Sequence, residues 1–224
     1  MIGVIIPVHN EEPLLGDCLA AVQRAATHPG LNGETVHILV VLDSCTDASA
    51  QIALAHGVAA IAVDARNVGE ARATGVRLLV DQGARWLACT DADSQVAEDW
   101  LVAQLQQNTD VVCGTVQIAD WGDIPHEAQT QYQGRYHNGD GHRHIHGANL
   151  GFSALAYIRA GGFQPLAVDE DVALVERLQQ SGASIAWTAS PQVTTSARLE
   201  VRMAGGFADY LRTLTLGITG AAAA

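Results

Sequence analysis

Five short apolar runs, at residues 2–8, 36–42, 59–63, 86–89 and 111–116, constrain the fold more than any other feature of the chain. Each has the length of a strand buried on both faces. Patterns of helical period lie between them. Strands that alternate with helices make βαβ units and a mostly parallel sheet. The chain has 224 residues and an apolar fraction of 48%, enough for one well-buried core. The expected fold class is therefore α/β. It is a single Rossmann-like domain with a mostly parallel central sheet flanked by helices.

Parallel strands point one way, so each of the first four delivers its polar cluster to the same sheet edge. That carboxyl edge is where open α/β sheets bind ligands. The first cluster is Pro7-Val8-His9-Asn10-Glu11-Glu12-Pro13, with Pro13 suited to a first helical turn and Asn10 or a nearby acid as its cap. The second is Asp43-Ser44-Cys45-Thr46-Asp47, and the third Asn67-Val68-Gly69. The fourth, Thr90-Asp91-Ala92-Asp93-Ser94, places two carboxylates one residue apart directly behind a buried run. Hard divalent cations take oxygen ligands and commonly bridge a carboxylate to substrate phosphates. Asp91 and Asp93 are thus a candidate metal–diphosphate site.

These four clusters come in the order and spacing of family 2 glycosyltransferases, and the chain resembles that inverting, GT-A-fold family over roughly residues 2 to 190. A later block adds to the likeness: Gly147-Ala148-Asn149-Leu150-Gly151-Phe152, then Ala160-Gly161-Gly162-Phe163, then Glu170-Asp171-Val172. Two departures stand out. Where the family pattern has Asp-Asp-Gly-Ser, this chain reads Leu42-Asp43-Ser44-Cys45, so one carboxylate of that pair is missing. The Gln-x-x-Arg-Trp string of processive synthases is also absent, which argues against a polysaccharide-extruding enzyme.

The resemblance implies transfer of a sugar from a nucleoside diphosphate donor, UDP-linked, to a hydroxyl of a small-molecule or glycan acceptor, with Mn²⁺ or Mg²⁺ as cofactor. It implies that Asp93 ligates the metal. Asp91 would then contact the ribose or a metal-bound water, with Ala92 between them against the donor. It places the catalytic base at Asp171, the second residue of the Glu-Asp pair, with Glu170 orienting the acceptor or supporting the base. The competing reading of residues 169–171 is plain helix N-capping. Pro7, Val8 and Asn10 would line the nucleotide pocket. Carboxylates accept hydrogen bonds, so Glu11 suits the ribose hydroxyls and Asp43 the imide edge of a uracil-like base. Asn67 and Gly69 would let the backbone approach the donor. By position, Arg72, three residues past Gly69, would bring positive charge to the diphosphate or lie in a surface salt bridge, and Arg198 and Arg202 would clamp the diphosphate or pair with Glu200 and Asp209 on a helix surface.

His142, His144 and His146 alternate as residues on one strand face do, a spacing that suits a transition metal. Of the three, His146 is the preferred contributor to the metal or diphosphate, because it adjoins Gly147-Ala148-Asn149. The irregular stretch from about 117 to 146, with a short helix expected near 129–137, would cover the acceptor.

The net charge of −12 disfavours nucleic acid and anionic membrane surfaces as partners. Cys18, Cys45, Cys89 and Cys113 show no disulfide or zinc spacing. No apolar run approaches bilayer length, and the N-terminus enters a strand at once. A cytoplasmic protein with no integral membrane segment is expected. One domain would span 1–215, divided into a nucleotide-sugar half to about 116 and an acceptor half from about 117, with 216–224 as a tail. Two other classes compete: a sugar-nucleotide pyrophosphorylase, whose Gly-rich basic first loop is missing here, and a noncatalytic nucleotide-binding module, which could dispense with Asp171.

Overall fold

A computed structural model of the chain describes residues 1–122 and 124–197. The elements run β1 Ile2–Val8, α1 Leu15–Ala26, β2 Val36–Asp43, α2 Ser49–Ala55, β3 Ala59–Val63, α3 Val68–Asp81, β4 Trp86–Cys89 and β5 Ser94–Val96. They continue with α4 Trp100–Leu105, β6 Val111–Ile118, α5 His126–Arg135, β7 Leu150–Ser153, α6 Ala154–Arg159, α7 Glu170–Gln180 and β8 Ile185–Thr195. All five expected strands form. They join a sheet of eight strands in the order β3-β2-β1-β4-β7-β6-β8-β5. The first four strands are mutually parallel. β7 runs antiparallel between β4 and β6, and β5 pairs antiparallel with β8 at the edge. The other six strands therefore share one direction.

The pleat sends alternate residues of each strand to opposite faces. On β1, Ile2, Val4, Ile6 and Val8 pack with Leu15, Leu19, Trp100 and Leu101 of α1 and α4. Ile5 faces the other way, into a core shared with Val76 and Leu79 of α3 and Leu174 and Leu178 of α7. Helices on both faces explain why these strands read as unbroken apolar runs.

Three strands are not evident in the sequence. β5 is three residues long, and β7 contains Gly151. β8 carries Pro191 at an irregularity in its pairing with β6, where Gly114 faces Thr188 but Val116 faces Val193. A bulge is where a sheet tolerates proline. The expected helix near 129–137 forms slightly earlier, as α5. Pro13 lies in a turn rather than in α1, and Asn10 does not cap that helix. Instead Asn10 adopts a left-handed backbone (φ 55°) and accepts the Thr46 N–H at 2.7 Å.

The segment between β6 and β7 is ordered by stacked rings. Tyr132 and Tyr136 stack at 5.1 Å, and Tyr136 and His144 at 4.2 Å. All four cysteines are free thiols. Among the described residues no helix is long and apolar enough to cross a membrane. The proposed boundary at 215 and the tail lie outside the described residues.

Candidate active site

The ends of β1, β2 and β4, the start of α3 and the start of α7 surround a cleft of about 1010 Å³. Most of the residues singled out from the sequence line it: Pro7, Val8, Asn10 and Glu11 from β1, Asp43 from β2, and Asn67 and Arg72 from the α3 region. Asp91, Ala92 and Asp93 follow β4, and His146, Glu170 and Asp171 complete the set. Among the described residues, Glu11, Asp43, Asp91, Asp93, Asp169, Glu170 and Asp171 give the lining seven carboxylates, against the guanidinium groups of Arg66 and Arg72.

The two strand-end loops lock each other. The Glu12 N–H donates to Asp47 at 2.8 Å, and the Ala48 N–H donates back to Glu12 at 3.1 Å. Glu12 and Asp47 thus hold loop to loop. Asn67 accepts the Glu70 N–H at 3.0 Å and is a side-chain N-cap of α3.

Asp43 is buried, and its carboxylate is committed to the backbone. It accepts the N–H groups of Ala65 at 2.9 Å, Arg66 at 2.8 Å and Asn67 at 2.7 Å. Burial works against its charge, but these donors and the Ser44 hydroxyl outweigh it and hold the carboxyl below the usual Asp range. Asp43 is therefore foremost a clip that shapes the turn after β3, where Arg66 takes a left-handed backbone (φ 47°). Such a turn is costly for a residue other than glycine unless its surroundings impose it. The clip is complete above about pH 4, the unfolded value, and is lost as pH falls through the lowered native value. Asp43→Ala should lower stability by about 2 kcal/mol and weaken UDP as the turn relaxes. An unmoved urea midpoint would show that the clip carries no stability.

Gly69 is not in the cleft. A Cβ there would lie 2.3 Å from the Gln164 carbonyl and 2.7 Å from that of Leu166, and the Gly69 N–H donates to Leu166 at 3.1 Å. The close approach that glycine permits is to the 164–166 loop leading into α7, not to a donor.

Arg72 is 3% exposed and is not a surface residue. Its guanidinium donates to Asp91 Oδ1 at 2.5 Å and to Glu170 Oε1. Burial disfavours the charge, and the neighbouring anions, led by Asp91, more than restore it. The Asp91 side chain keeps 39% exposure to the cleft, yet the protein packed around its carboxyl pushes the pKa up, as do Asp93 and Asp171, while Arg72 pulls it down. Asp171 stands in the first turn of α7. It accepts the Gly147 N–H at 2.6 Å and the Val172 N–H at 2.8 Å. Asp169 precedes it in a left-handed conformation and makes no side-chain cap.

His146 sits 2.9 Å from the Tyr136 hydroxyl through Nε2. Burial, with His144 and His142 beside it, pushes its pKa down to about 4. The ring is neutral near pH 7. The three histidines do not form a strand, and their rings stack at 5.6 and 6.0 Å. No group of three metal-binding side chains gathers among the described residues. Arg198 and Arg202 fall outside the described residues. His9, Arg66 and Thr195 also line the cleft, although their sequence context did not single them out.

The profile of the family described as Glycosyl transferase family 2 matches residues 3–159, more than two-thirds of the chain. The chain belongs to glycosyl transferase family 2. Solved glycosyltransferases share its fold. S. aureus TarS 1–349 in complex with UDP-GlcNAc aligns with a TM-score of 0.67 at 13% identity, covering 92% of this chain and 61% of that one. The same protein with UDP aligns at 0.65 and 12% identity, covering 89% and 61%. The mannosyltransferase PcManGT from Pyrobaculum calidifontis, in complex with GDP-Man and Mn²⁺, aligns at 0.64 and 16% identity, covering 89% and 58%. The chain thus spans about three-fifths of the length of these proteins. A search of curated proteins found no match.

Proposed function

We propose that this family 2 member is an inverting, metal-dependent glycosyltransferase that moves a sugar from a nucleoside diphosphate donor, UDP-linked, to an acceptor hydroxyl. The observation that carries this reading is the meeting of the Asp91–Asp93 pair and Asp171 on one cleft. A diphosphate brings negative charge to a described lining that already holds seven carboxylates, and the Arg72 guanidinium there is spent on Asp91 and Glu170. Like charges at such distances repel strongly in a partly desolvated site. A divalent cation would resolve that conflict.

The residues fit one. Mg²⁺-type sites use one or two carboxylates plus substrate phosphates and waters, so a cage of three protein ligands is not required. Asp93 would hold the ion, with Asp91 beside it. Bound there, the cation would neutralise charge on the departing diphosphate. His146 is turned toward Tyr136 and has a secondary place at most. The printed complexes of TarS with UDP and UDP-GlcNAc and of PcManGT with GDP-Man and Mn²⁺ support the donor class and the ion.

Asp171 would accept the proton of the acceptor hydroxyl as its oxygen attacks the anomeric carbon. The bond to the diphosphate breaks on the opposite face, so configuration inverts. Two N–H donors fix the carboxylate and leave it further lone pairs for that proton. The aromatic and imidazole stack of 121–146 would form the acceptor side. The test is acceptor-dependent release of UDP from a panel of UDP-sugars with and without Mn²⁺. Consumption of UTP with a sugar phosphate would mark a pyrophosphorylase instead, and binding without turnover a noncatalytic module.

A further inference from the structure

We infer that Arg72 is a positioning residue that sets the geometry of Asp171, rather than a ligand of the donor's diphosphate; this rests on the proposed role of Asp171 as base. Four observations converge. The guanidinium is buried, and both of its terminal nitrogens are used, on Asp91 and on Glu170. Glu170 is itself 4% exposed and directly precedes Asp171 at the start of α7. The backbone of Gly147 lies against the guanidinium so closely that a Cβ would be 2.3 Å from Nη1 and Nη2. The N–H of that same glycine donates to Asp171 Oδ2 at 2.6 Å.

Arg72 therefore reaches Asp171 by two routes. Through Glu170 it pins the first turn of α7. Through Gly147 it fixes the height of the N–H that orients the carboxylate. The planar fork suits this work, because it holds two carboxylates at once and offers a flat face to a glycine. Its third partner, Asp91, belongs to the candidate metal pair. One cation thus ties the candidate metal pair to the turn that carries the proposed base. The sequence of α3 carries a sign of this. Arg72 falls on the same helical stripe as Gly69, Val76 and Leu79, and a charged residue on a buried stripe needs a buried partner.

The two roles predict different kinetics. Arg72→Met in the full chain should lower kcat by about 10²-fold, the effect of a small misplacement of a reacting group, with the KM for UDP-sugar changed less than about threefold. Arg72→Lys keeps the charge without the fork, so kcat should still fall while the KM for UDP-sugar stays within that range. Gly147→Ala is an independent probe, because its Cβ displaces the guanidinium without removing it, and it should reproduce the loss of kcat even where Arg72→Met fails to fold.

A diphosphate ligand would behave otherwise. Weakening of UDP far more than of uridine, with kcat unchanged in Arg72→Met and with normal kcat in Gly147→Ala, overturns the positioning role. Asp171→Asn, run alongside, separates this from failure of the underlying reading. Normal turnover in that variant removes the base assignment itself, whereas loss of turnover there with parental kinetics in both Arg72 variants and in Gly147→Ala overturns only the inference about Arg72.

Discussion

Asp171→Asn should fold, bind a UDP-sugar with near-parental affinity, and lose transfer by about 10²–10⁴-fold, the span usual for removal of a general base. The amide keeps the shape of the side chain but cannot take the acceptor proton. It also offers one acceptor oxygen where the carboxylate offers two. One of the bonds from Gly147 and Val172 is therefore lost, at a stability cost of about 1 kcal/mol. Single-turnover assays separate this chemical loss from binding, and NMR of the product's anomeric proton reports the stereochemistry. A retained configuration, or normal turnover, would sink the assignment.

Asp93→Ala should abolish the gain in UDP affinity that Mn²⁺ or Mg²⁺ brings and reduce transfer by about 10²–10³-fold, as loss of a charge-stabilising group does. Asp93 lines the cleft and accepts the Ser94 hydroxyl at 3.3 Å, apart from Arg72's pairs with Asp91 and Glu170. Asp91→Ala is the contrasting variant. It leaves Arg72 with one carboxylate instead of two, so stability falls along with the metal response. The half-exposed side of Asp91 softens that effect, since solvent screens part of the pair. Calorimetry of UDP with metal and with chelator reads both variants. Equal affinity of the parent protein under the two conditions would remove metal from the mechanism.

The inner strands were legible because helices cover both sheet faces, which makes residues 2–8 or 36–42 apolar throughout. β5, β7 and β8 were not, because a three-residue edge strand, a glycine and a proline at a bulge erase the usual pattern. The same division runs through the site. Clusters at strand ends were readable, since topology alone carries them to one edge. What each side chain does there was less so. Asp43 looked like a reader of the nucleobase, yet its partners are backbone N–H groups of residues 65–67, which any sequence would supply. Gly69 looked like a donor contact, but its neighbour is a carbonyl of a loop about a hundred residues onward. His142, His144 and His146 looked like ligands because they alternate. In the fold their rings stack on one another, and His146 turns its Nε2 to the Tyr136 hydroxyl.

The position of β8 sets the order in which this enzyme can come into being. It is the last described strand in the chain, yet it lies inside the sheet between β6 and β5. Among the described residues β5 pairs only with β8, and the Ser94 hydroxyl donates to that of Thr195 at 2.9 Å across 101 residues. During synthesis β6 therefore waits with one edge unpaired, and the Asp93 loop waits without its backing strand. Contacts so far apart form slowly, because the intervening chain must first be ordered. The sheet stays incomplete until residue 195 has been made, so a nascent fragment that lacks β8 would leave the proposed donor cleft without its full frame. A chain stopped at residue 184 should accordingly bind no UDP and should associate through the open edge of β6.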